Sequence, residues 1–398
     1  MKTALLLLSL LMLALVTANA QDSTQTELDT KILSDAPGNT KFMLTGAAWF
    51  GFEANQKKDV QVNFNSYGFS PIFLWKLSDK LFFESEIEID NGEMELEFAK
   101  LSYSLNKYMT IGAGRMLSPF GAYGERWEPV FIEKFPNSPI RARSDYLPGS
   151  THLNWGAIMG IDVRGNIPLG SAKMNYVLFV SNGPTLDNGS EDPKKGGIID
   201  YENLDDNNTN KEIGGRIGFL PFSNSSLEIG LSGRHGIAGN QNDPLYSNIA
   251  ATSYAIDLSY VESIELISSN IGIKGQFNAL TVDKASYPVP GDTTGLMYSF
   301  DNTMQNYFVQ VSVSPAMLSN HFLKNLELLF RYNSLTPPKD AVWGAKDASG
   351  KGGSITRADI GLCYWLSWRV GLRFAYEMSS YPDGTKVNEI LGRFVMGF

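Results

Sequence analysis

The sequence has few of the residues and spacings that enzymes and metal sites require. Cys363 is the only cysteine, which excludes an internal disulfide framework. The three histidines, His152, His235 and His321, are scattered, and neither H-x-x-x-H nor H-E-x-x-H occurs. G-x-S-x-G, P-loop and C-x-x-C motifs are missing as well, so we predict no catalytic residue, no cofactor and no metal site. The acidic loop Asp200–Asn210 could offer oxygens to Ca²⁺, but it lacks the spacing and glycine of an EF-hand, which favours a solvated loop.

Long apolar runs are missing from the chain after its first residues, which excludes a helical membrane span of roughly 18 residues. The one apolar run, Ala4 to Val16, follows Lys2 and precedes Ala18-Asn19-Ala20. A charged start, a short apolar run and an A-x-A site predict a secretory signal peptide at residues 1–20. We therefore expect the protein to leave the cytoplasm, with residues 21–40 forming a polar periplasmic leader.

An excess of basic residues is missing too. The formal net charge is −9, which argues against nucleic acid as a partner. A hydrophobic fraction of 43% and a mean hydropathy of −0.14 are those of a chain in which polar and apolar residues are mixed throughout. A membrane-spanning β-barrel has such a composition, because lumen-facing polar residues alternate with lipid-facing apolar residues.

The segment 386–398 shows this alternation most clearly. Phe398, Met396, Phe394 and Ile390 fall on one face of a strand, whereas Arg393 lies on the other with Glu389. Amphipathic strands that end on phenylalanine are typical of bacterial outer-membrane barrels. The same parity places charges on one face and apolar residues on the other in the preceding strands. A soluble sheet with its charges in bulk water would show the same alternation, but it would leave the signal peptide and strand number unexplained.

The connections between the predicted strands alternate in length. We predict strands at 42–54, 60–77, 81–90, 92–105, 108–116, 151–166, 172–182, 211–220, 225–237, 251–261, 266–280, 302–314, 324–336, 354–366, 368–379 and 386–398. Tight turns and long polar connections follow one another, except that 90–92 is short and 315–323 is long for its place. The predicted fold of residues 41–398 is therefore an all-β, transmembrane antiparallel β-barrel of about sixteen strands, with short periplasmic turns and long extracellular loops.

The charged residues of inward parity form two groups. Acidic residues dominate two consecutive strands. Asp90 ends the first run, and the alternating glutamates of the two strands are Glu84, Glu86, Glu88, Glu93, Glu95 and Glu97. Basic residues occupy the later strands. The arginines proposed to line the lumen are Arg164, Arg216, Arg234, Arg331, Arg357, Arg373 and Arg393, and Arg369, Lys173 and Lys274 share their parity. Opposed acidic and basic walls would create a transverse field across a lumen. In the alternative interpretation these charges only keep the lumen hydrated.

The connection 117–150 is the most distinctive loop, because it is long, rich in proline and aromatic residues, and carries a basic cluster. Loops of this length and apolar content usually fold against another surface. Folded into the barrel, the loop would narrow the lumen, with candidate constriction residues Arg126, Glu128, Lys134, Arg141 and Arg143. Alternatively, the loop packs on the rim or on a neighbouring subunit. Arg115, just before it, has lipid-facing parity unless a bulge intervenes.

Motifs around this loop are similar to those of a known family. Gly114-Arg115, Pro119-Phe120-Gly121 and the run 152–156 (H-L-N-W-G) resemble the phosphate-selective porin O and P family. The resemblance implies a sixteen-stranded, usually trimeric outer-membrane porin of Gram-negative bacteria, in contact with membrane lipid. Phosphate-selective members use an arginine ladder and a lysine cluster. This sequence has no clear lysine cluster, and its acidic strand pair would disfavour anions.

The function implied by the resemblance is passive diffusion of small hydrophilic solutes or ions through the bacterial outer membrane. Lumen charges and the loop 117–150 would set the selectivity, and the assembly would be a homotrimer. Because the lysine cluster is missing, we expect a general or differently selective porin instead of a phosphate channel. The alternative is a closed outer-membrane barrel that acts as a structural or adhesion protein.

Overall fold

The strands form one closed barrel. The computed structural model describes residues 41–55, 61–140, 156–201, 204 and 206–398, so the predicted signal peptide and leader lie outside the described residues. Sixteen strands pair antiparallel, and the last closes on the first. The prediction of an all-β, sixteen-stranded antiparallel barrel is confirmed. None of the helices in the described ranges has the length and apolar character needed to span a membrane.

Sixteen strands form the barrel wall, and several short strands and helical turns are not part of it. The barrel strands are β1 (Lys41–Asn55), β2 (Gln61–Lys76), β3 (Leu81–Asp90), β4 (Glu93–Asn106), β5 (Met109–Leu117), β6 (Ala157–Leu169), β7 (Ala172–Ser181), β10 (Glu212–Leu220), β11 (Leu227–Ile237), β12 (Ala250–Ile264), β13 (Ser269–Val282), β16 (Thr303–Ser314), β17 (Leu326–Thr336), β18 (Ile355–Ser367), β19 (Val370–Ser380) and β20 (Lys386–Gly397). Two small sheets pair β8 (Thr185–Leu186) with β9 (Ile199–Asp200), and β14 (Ser286–Pro288) with β15 (Met297–Ser299). One π-helical turn spans Tyr123–Trp127, and 3₁₀ turns span Pro193–Lys195, Glu265–Ile267 and Leu323–Asn325.

The outer surface of the barrel is apolar. On β20, Ile390, Phe394 and Met396 are exposed, whereas Val387 and Val395 on the opposite face are buried. Leucine, isoleucine, phenylalanine and tyrosine side chains are exposed on the same outward face of most other strands. An apolar outer face over a polar inner face is the arrangement of a barrel that contacts lipid. The parity predicted from the sequence therefore assigns the faces correctly on this strand.

The barrel closes where β20 meets β1. The backbone N–H of Phe398 donates to the carbonyl of Gly46 at 3.1 Å, and the Gly46 N–H donates back at 3.2 Å. The Thr45 hydroxyl donates to the Phe398 carbonyl at 2.6 Å. The Phe398 ring stacks on Phe69, with 5.5 Å between ring centroids. The final residue therefore pairs by both backbone and side chain at the seam.

Gly46 is the position at this seam that requires glycine. Its φ is +151°, and a Cβ there would lie 2.1 Å from the Ser70 carbonyl oxygen on β2. We expect Gly46→Ala to reduce the folded fraction, because the pairing of β1 and β2 would have to shift. Refolding into detergent, followed by electrophoresis without heating, measures that fraction. Gly233→Ala is the control, since Gly233 lies in open space; equal yields of the two variants would contradict the prediction.

One of the two irregular connections in the predicted loop pattern closes as a tight turn. Asn91 and Gly92 have φ values of +52° and +89°, as both central residues of a type I′ turn must. The β3–β4 hairpin therefore closes tightly on the rim where most of the long described connections lie. The pairing of β3 with β4 also shifts between Glu86 and Ile87.

The long connections pack against one another at their rim of the barrel. Ile140, Ile199, Tyr246, Tyr287 and Trp343 belong to one buried cluster, and each comes from a different long connection. The Trp343 indole donates to the Gly196 carbonyl at 3.1 Å. Burial in this cluster raises the pKa of the Tyr287 hydroxyl. The long loops thus form a packed cap over part of the barrel mouth.

Candidate functional site

The segment 118–140 folds into the barrel lumen. At its start, the Gly121 N–H donates to the Ser232 hydroxyl of β11 at 3.0 Å. The backbone N–H groups of Ala122 and Tyr123 donate to Gln276 Oε1 of β13, at 2.8 and 2.9 Å. The Tyr123 ring meets Phe308 of β16 edge-on, and its side chain is fully buried. The segment therefore leaves β5 and contacts the far wall of the barrel.

The middle of the segment reaches the seam and then turns back. Val130 packs against Ala47, Trp49 and Val395, and its carbonyl accepts a hydrogen bond from Arg373 at 2.6 Å. Phe135 is buried in a cluster with residues of the three strands β17, β18 and β19: Leu329, Cys363 and Ala375.

The end of the segment is held by arginine side chains and by an amide. Arg331 donates to the Asn137 carbonyl at 3.1 Å, and Arg357 donates to the Ser138 carbonyl at 2.5 Å. The Ile140 N–H donates to Asn333 Oδ1 at 3.2 Å. The segment therefore contacts strands from β11 round to β1.

Three of the five predicted constriction residues lie in the described part of the chain, and two lie outside it. Arg126 pairs with Glu228 at 2.6 Å and keeps 37% of its side chain exposed. Lys134 pairs with Glu327, and Glu128 is half-buried at the end of the π-helical turn. Arg141 and Arg143 lie outside the described residues.

Arg164 of β6 connects the loop to the barrel wall. Its guanidinium lies 2.5 Å from Glu125 of the loop and 2.5 Å from Asp162 on its own strand. Asp162 also pairs with Lys100 of β4 at 2.8 Å, and both of these side chains are buried. Two neighbouring loop residues therefore pair with different strands: Glu125 with Arg164 of β6, and Arg126 with Glu228 of β11.

Most of the predicted lumen arginines are buried against the loop or the wall. Arg216, Arg234, Arg331, Arg357 and Arg373 are each at most 4% exposed. Arg216 pairs with Asp257 at 2.6 Å, and Arg331 pairs with Asp359 at 2.8 Å. Arg234 lies between the rings of Phe120 and Tyr201. Arg393 is half-buried and lies opposite Arg373. These arginines therefore hold structural elements together and offer little surface to water.

The ion pairs of the loop and its walls are balanced in charge. Within the described ranges they join nine cations to nine carboxylates. The cations are Lys100, Arg126, Lys134, Arg164, Arg216, Arg234, Lys274, Arg331 and Arg357. The carboxylates are Glu125, Glu133, Asp162, Glu212, Glu228, Asp257, Glu327, Asp359 and Glu377. Cations and carboxylates are therefore equal in number in this set of ion pairs.

The predicted acidic residues lie on the opposite wall. Glu84 is opposite Lys100, and Glu86 accepts a hydrogen bond from Ser70. After the shift in pairing, Glu88 lies opposite Glu95, and Asp90 opposite Glu93. The shift changes which side chains share a face, so parity alone does not place Glu93, Glu95 and Glu97.

Arg115 keeps the outward parity predicted for it, since it lies opposite the exposed Met159. Its guanidinium reaches along the wall to Glu95 at 2.6 Å and to the Glu97 carbonyl at 3.2 Å.

Sequence reasoning missed the residues that fix the loop. Buried amides on the far wall bond to its backbone, and buried carboxylates such as Asp359 neutralise the arginines. The available signal was polar residues at inward positions of otherwise apolar strands, as in 304–312. That signal does not reveal which of them face water and which face a loop.

A metal site is not apparent in the part of the chain that the structure describes, where no three His, Cys, Asp or Glu residues group to hold an ion. In the acidic loop considered for Ca²⁺, Asp206 pairs with Lys211, and Asn208 caps neighbouring backbone groups.

Comparisons with known proteins agree with this architecture. No protein-family model matches the chain. A curated protein of Aquifex aeolicus (strain VF5), described only as uncharacterized, is 26% identical over 347 residues, which cover 80% of this chain and 71% of that protein.

Several solved outer-membrane channels share the fold. The outer-membrane channel DcaP of Acinetobacter baumannii matches with a TM-score of 0.54 and 11% identity, covering 91% of this chain and 99% of that one. An anion-selective porin from Comamonas acidovorans matches at 0.53 and 11%, covering 90% and 100%. OprB of Pseudomonas putida matches at 0.54 and 10%, covering 94% and 96%. At these identities the likeness supports the fold alone, a closed antiparallel β-barrel.

Proposed function

We propose that this chain is an outer-membrane porin through which small hydrophilic solutes or ions diffuse passively. The observation that carries the proposal is a closed sixteen-stranded barrel with an apolar outer face and a loop folded across its lumen. A segment that crosses the lumen of a barrel narrows the passage without blocking it. The groups along the remaining opening then select the solutes. The chemistry requires no catalytic group. The trimer implied by the family resemblance remains a prediction.

The charge distribution supports a preference for cations. The ion pairs between loop and walls join equal numbers of cations and carboxylates, and four of the six arginines in them are buried. Among the described residues on the seam side of the lumen, six acidic residues of inward parity keep some exposure to water, against four basic residues: Lys41, Lys76, Arg369 and Arg393. The acidic residues are Glu53, Glu84, Glu86, Glu88, Asp90 and Glu389. Carboxylates along a passage raise the local concentration of cations and exclude anions. The solutes favoured by this arrangement are therefore small and positively charged or neutral.

Planar-bilayer recording of the purified protein tests the channel. We expect stepwise conductance increments, and in a salt gradient a reversal potential of the sign that cation permeation gives. Bilayers that show no steps would overturn the porin proposal. Steps with an anion-type reversal potential would overturn only the cation preference.

Neutralising part of the acidic wall should change the selectivity. The triple variant Glu86→Gln, Glu88→Gln and Asp90→Asn removes three negative charges without changing side-chain size. We expect its reversal potential to move towards zero while the conductance in concentrated salt changes little, since screening shortens the range of the field. A control that removes three exposed acidic charges from the long loops, at Glu191, Asp301 and Asp340, should leave the reversal potential unchanged. Equal shifts in both variants would show that the acidic wall has no special role.

A closed barrel with a structural or adhesive role is the second candidate. The extensive burial of lumen arginines beneath the segment 118–140 and the packed cap of long loops favour it. The same recording separates the two candidates, because a closed barrel inserts into the bilayer without conducting.

A further inference from the structure

Four buried amide side chains line one wall of the lumen. Gln276 and Asn278 lie on β13, Asn306 lies on β16 and Asn333 lies on β17. Each is at most 2% exposed. Gln276 Nε2 donates to Asn278 Oδ1 at 2.7 Å, and Asn278 Nδ2 donates to Asn306 Oδ1 at 3.1 Å. The first three therefore form a continuous hydrogen-bonded chain across two neighbouring strands.

The amides bond to the backbone at both ends of the segment 118–140. Gln276 Oε1 accepts from the N–H groups of Ala122 and Tyr123 near the start. At the other end, Asn306 Nδ2 donates to the Ile140 carbonyl at 3.4 Å, and Asn333 Oδ1 accepts from the Ile140 N–H at 3.2 Å. Asn333 Nδ2 in turn donates to Asp359 Oδ2 at 3.1 Å, which connects the end of the segment to the arginine pairs.

The barrel itself does not need these side chains. Its strands are held by backbone hydrogen bonds, which are formed whatever the side chains are. A buried amide is costly unless its donors and acceptor are satisfied. Here the loop satisfies them, and the amides in turn satisfy loop N–H and C=O groups that would otherwise be buried without partners. The exchange favours one position of the segment over any other.

We propose that Gln276, Asn278, Asn306 and Asn333 act together as a positioning device that fixes both ends of the segment 118–140 and so sets the aperture of the lumen. This inference rests on the proposed porin function for its conductance readout, but the positioning itself does not depend on conduction. Gln276 is the key member, because one side-chain oxygen accepts two backbone N–H groups of the loop.

The experiment compares two substitutions at one position. Gln276→Met keeps the length of the side chain and removes its hydrogen bonds. Gln276→Glu keeps an oxygen that accepts from both loop N–H groups, but it replaces the donor to Asn278 with a second oxygen and introduces an acidic group. We expect Gln276→Met to give larger and noisier single-channel conductance, and Gln276→Glu to give values nearer to wild type than those of Gln276→Met. Gln310→Met is the matched control, because Gln310 is equally buried on β16 and its side-chain oxygen bonds to no loop group.

Limited trypsin digestion in detergent gives a second readout that needs no conductance. Arg126 and Lys134 are cleavage sites within the segment, and both are held in ion pairs in the native protein. We expect cleavage there in Gln276→Met but not in wild type, Gln276→Glu or Gln310→Met. If Gln276→Met does not fold, Asn306→Leu tests the other end of the segment by the same two readouts.

The outcomes separate this inference from the porin proposal. Faster cleavage of Gln276→Met in a protein that never conducts would support the positioning device and overturn the porin. Wild-type conductance and wild-type resistance to trypsin in Gln276→Met would overturn the positioning device and leave the porin intact.

Discussion

Asp359→Asn is expected to destabilise the folded barrel by roughly 3–5 kcal/mol, the usual cost of removing one partner from a buried ion pair. Asp359 is fully buried, and its two carboxylate oxygens lie 2.8 Å from Arg331 Nε and 2.8 Å from Arg357 Nε. Both guanidinium groups are also nearly inaccessible to water. An amide cannot balance two buried positive charges, and one of its groups would turn a donor towards a guanidinium. Without this carboxylate to orient them, the two arginines would bind the Asn137 and Ser138 carbonyls of the loop less well.

Thermal unfolding followed by electrophoretic mobility measures this effect. The variant should convert from the compact to the unfolded band at a clearly lower temperature than wild type. Asp301→Asn provides the control, because Asp301 is exposed in a long loop and carries the same chemical change. If both variants unfold at the wild-type temperature, the buried pair does not contribute as the geometry indicates.

Removing the segment that crosses the lumen is expected to increase single-channel conductance several-fold. Replacing residues 119–139 with a short glycine–serine linker takes away the side chains that fill the centre of the barrel, including Phe120, Tyr123 and Phe135. Conductance rises with the cross-section of the narrowest region, and the widened lumen would also expose the buried arginines to water. We therefore expect the reversal potential to move towards anion permeation at the same time, since the deletion removes three glutamates and only two basic residues, Arg126 and Lys134.

The matched control is a deletion of similar kind outside the lumen. Residues 291–295 form the tip between β14 and β15, where Gly291 and Gly295 have no neighbouring atoms within 4 Å of an added Cβ. Shortening this tip should leave conductance unchanged. A lumen deletion that conducts no better than the tip deletion would mean that the segment 118–140 does not limit the passage.

The sequence was sufficient for the wall because strand alternation is a local property. The face to which each charged side chain on β20 points, such as that of Arg393, follows from the faces of the residues two positions away. The same counting fails at β3 and β4, where Glu97 is an extra residue on β4 and shifts the pairing. Parity is reliable only while the strands remain regular, so Glu93, Glu95 and Glu97 could not be placed from sequence.

Charge accessibility was also beyond the sequence. Arg331 and Arg393 have the same parity and the same chemistry, yet one is fully buried under the loop and the other keeps some exposure. Which arginine is covered depends on the route of the segment 118–140, and that route depends on contacts more than 100 residues away, such as those from Ala122 to Gln276 and from Asn137 to Arg331.

By itself, then, the sequence determined the all-β class, the sixteen strands and the face to which most side chains point, because these follow from local periodicity and turn chemistry. Only the tertiary structure decided that the arginine wall is neutralised and buried while the acidic wall keeps contact with water. The physical reason is that burial and ion pairing are properties of distant groups brought together. No local pattern records whether a carboxylate such as Asp359 lies beside one guanidinium, two, or water.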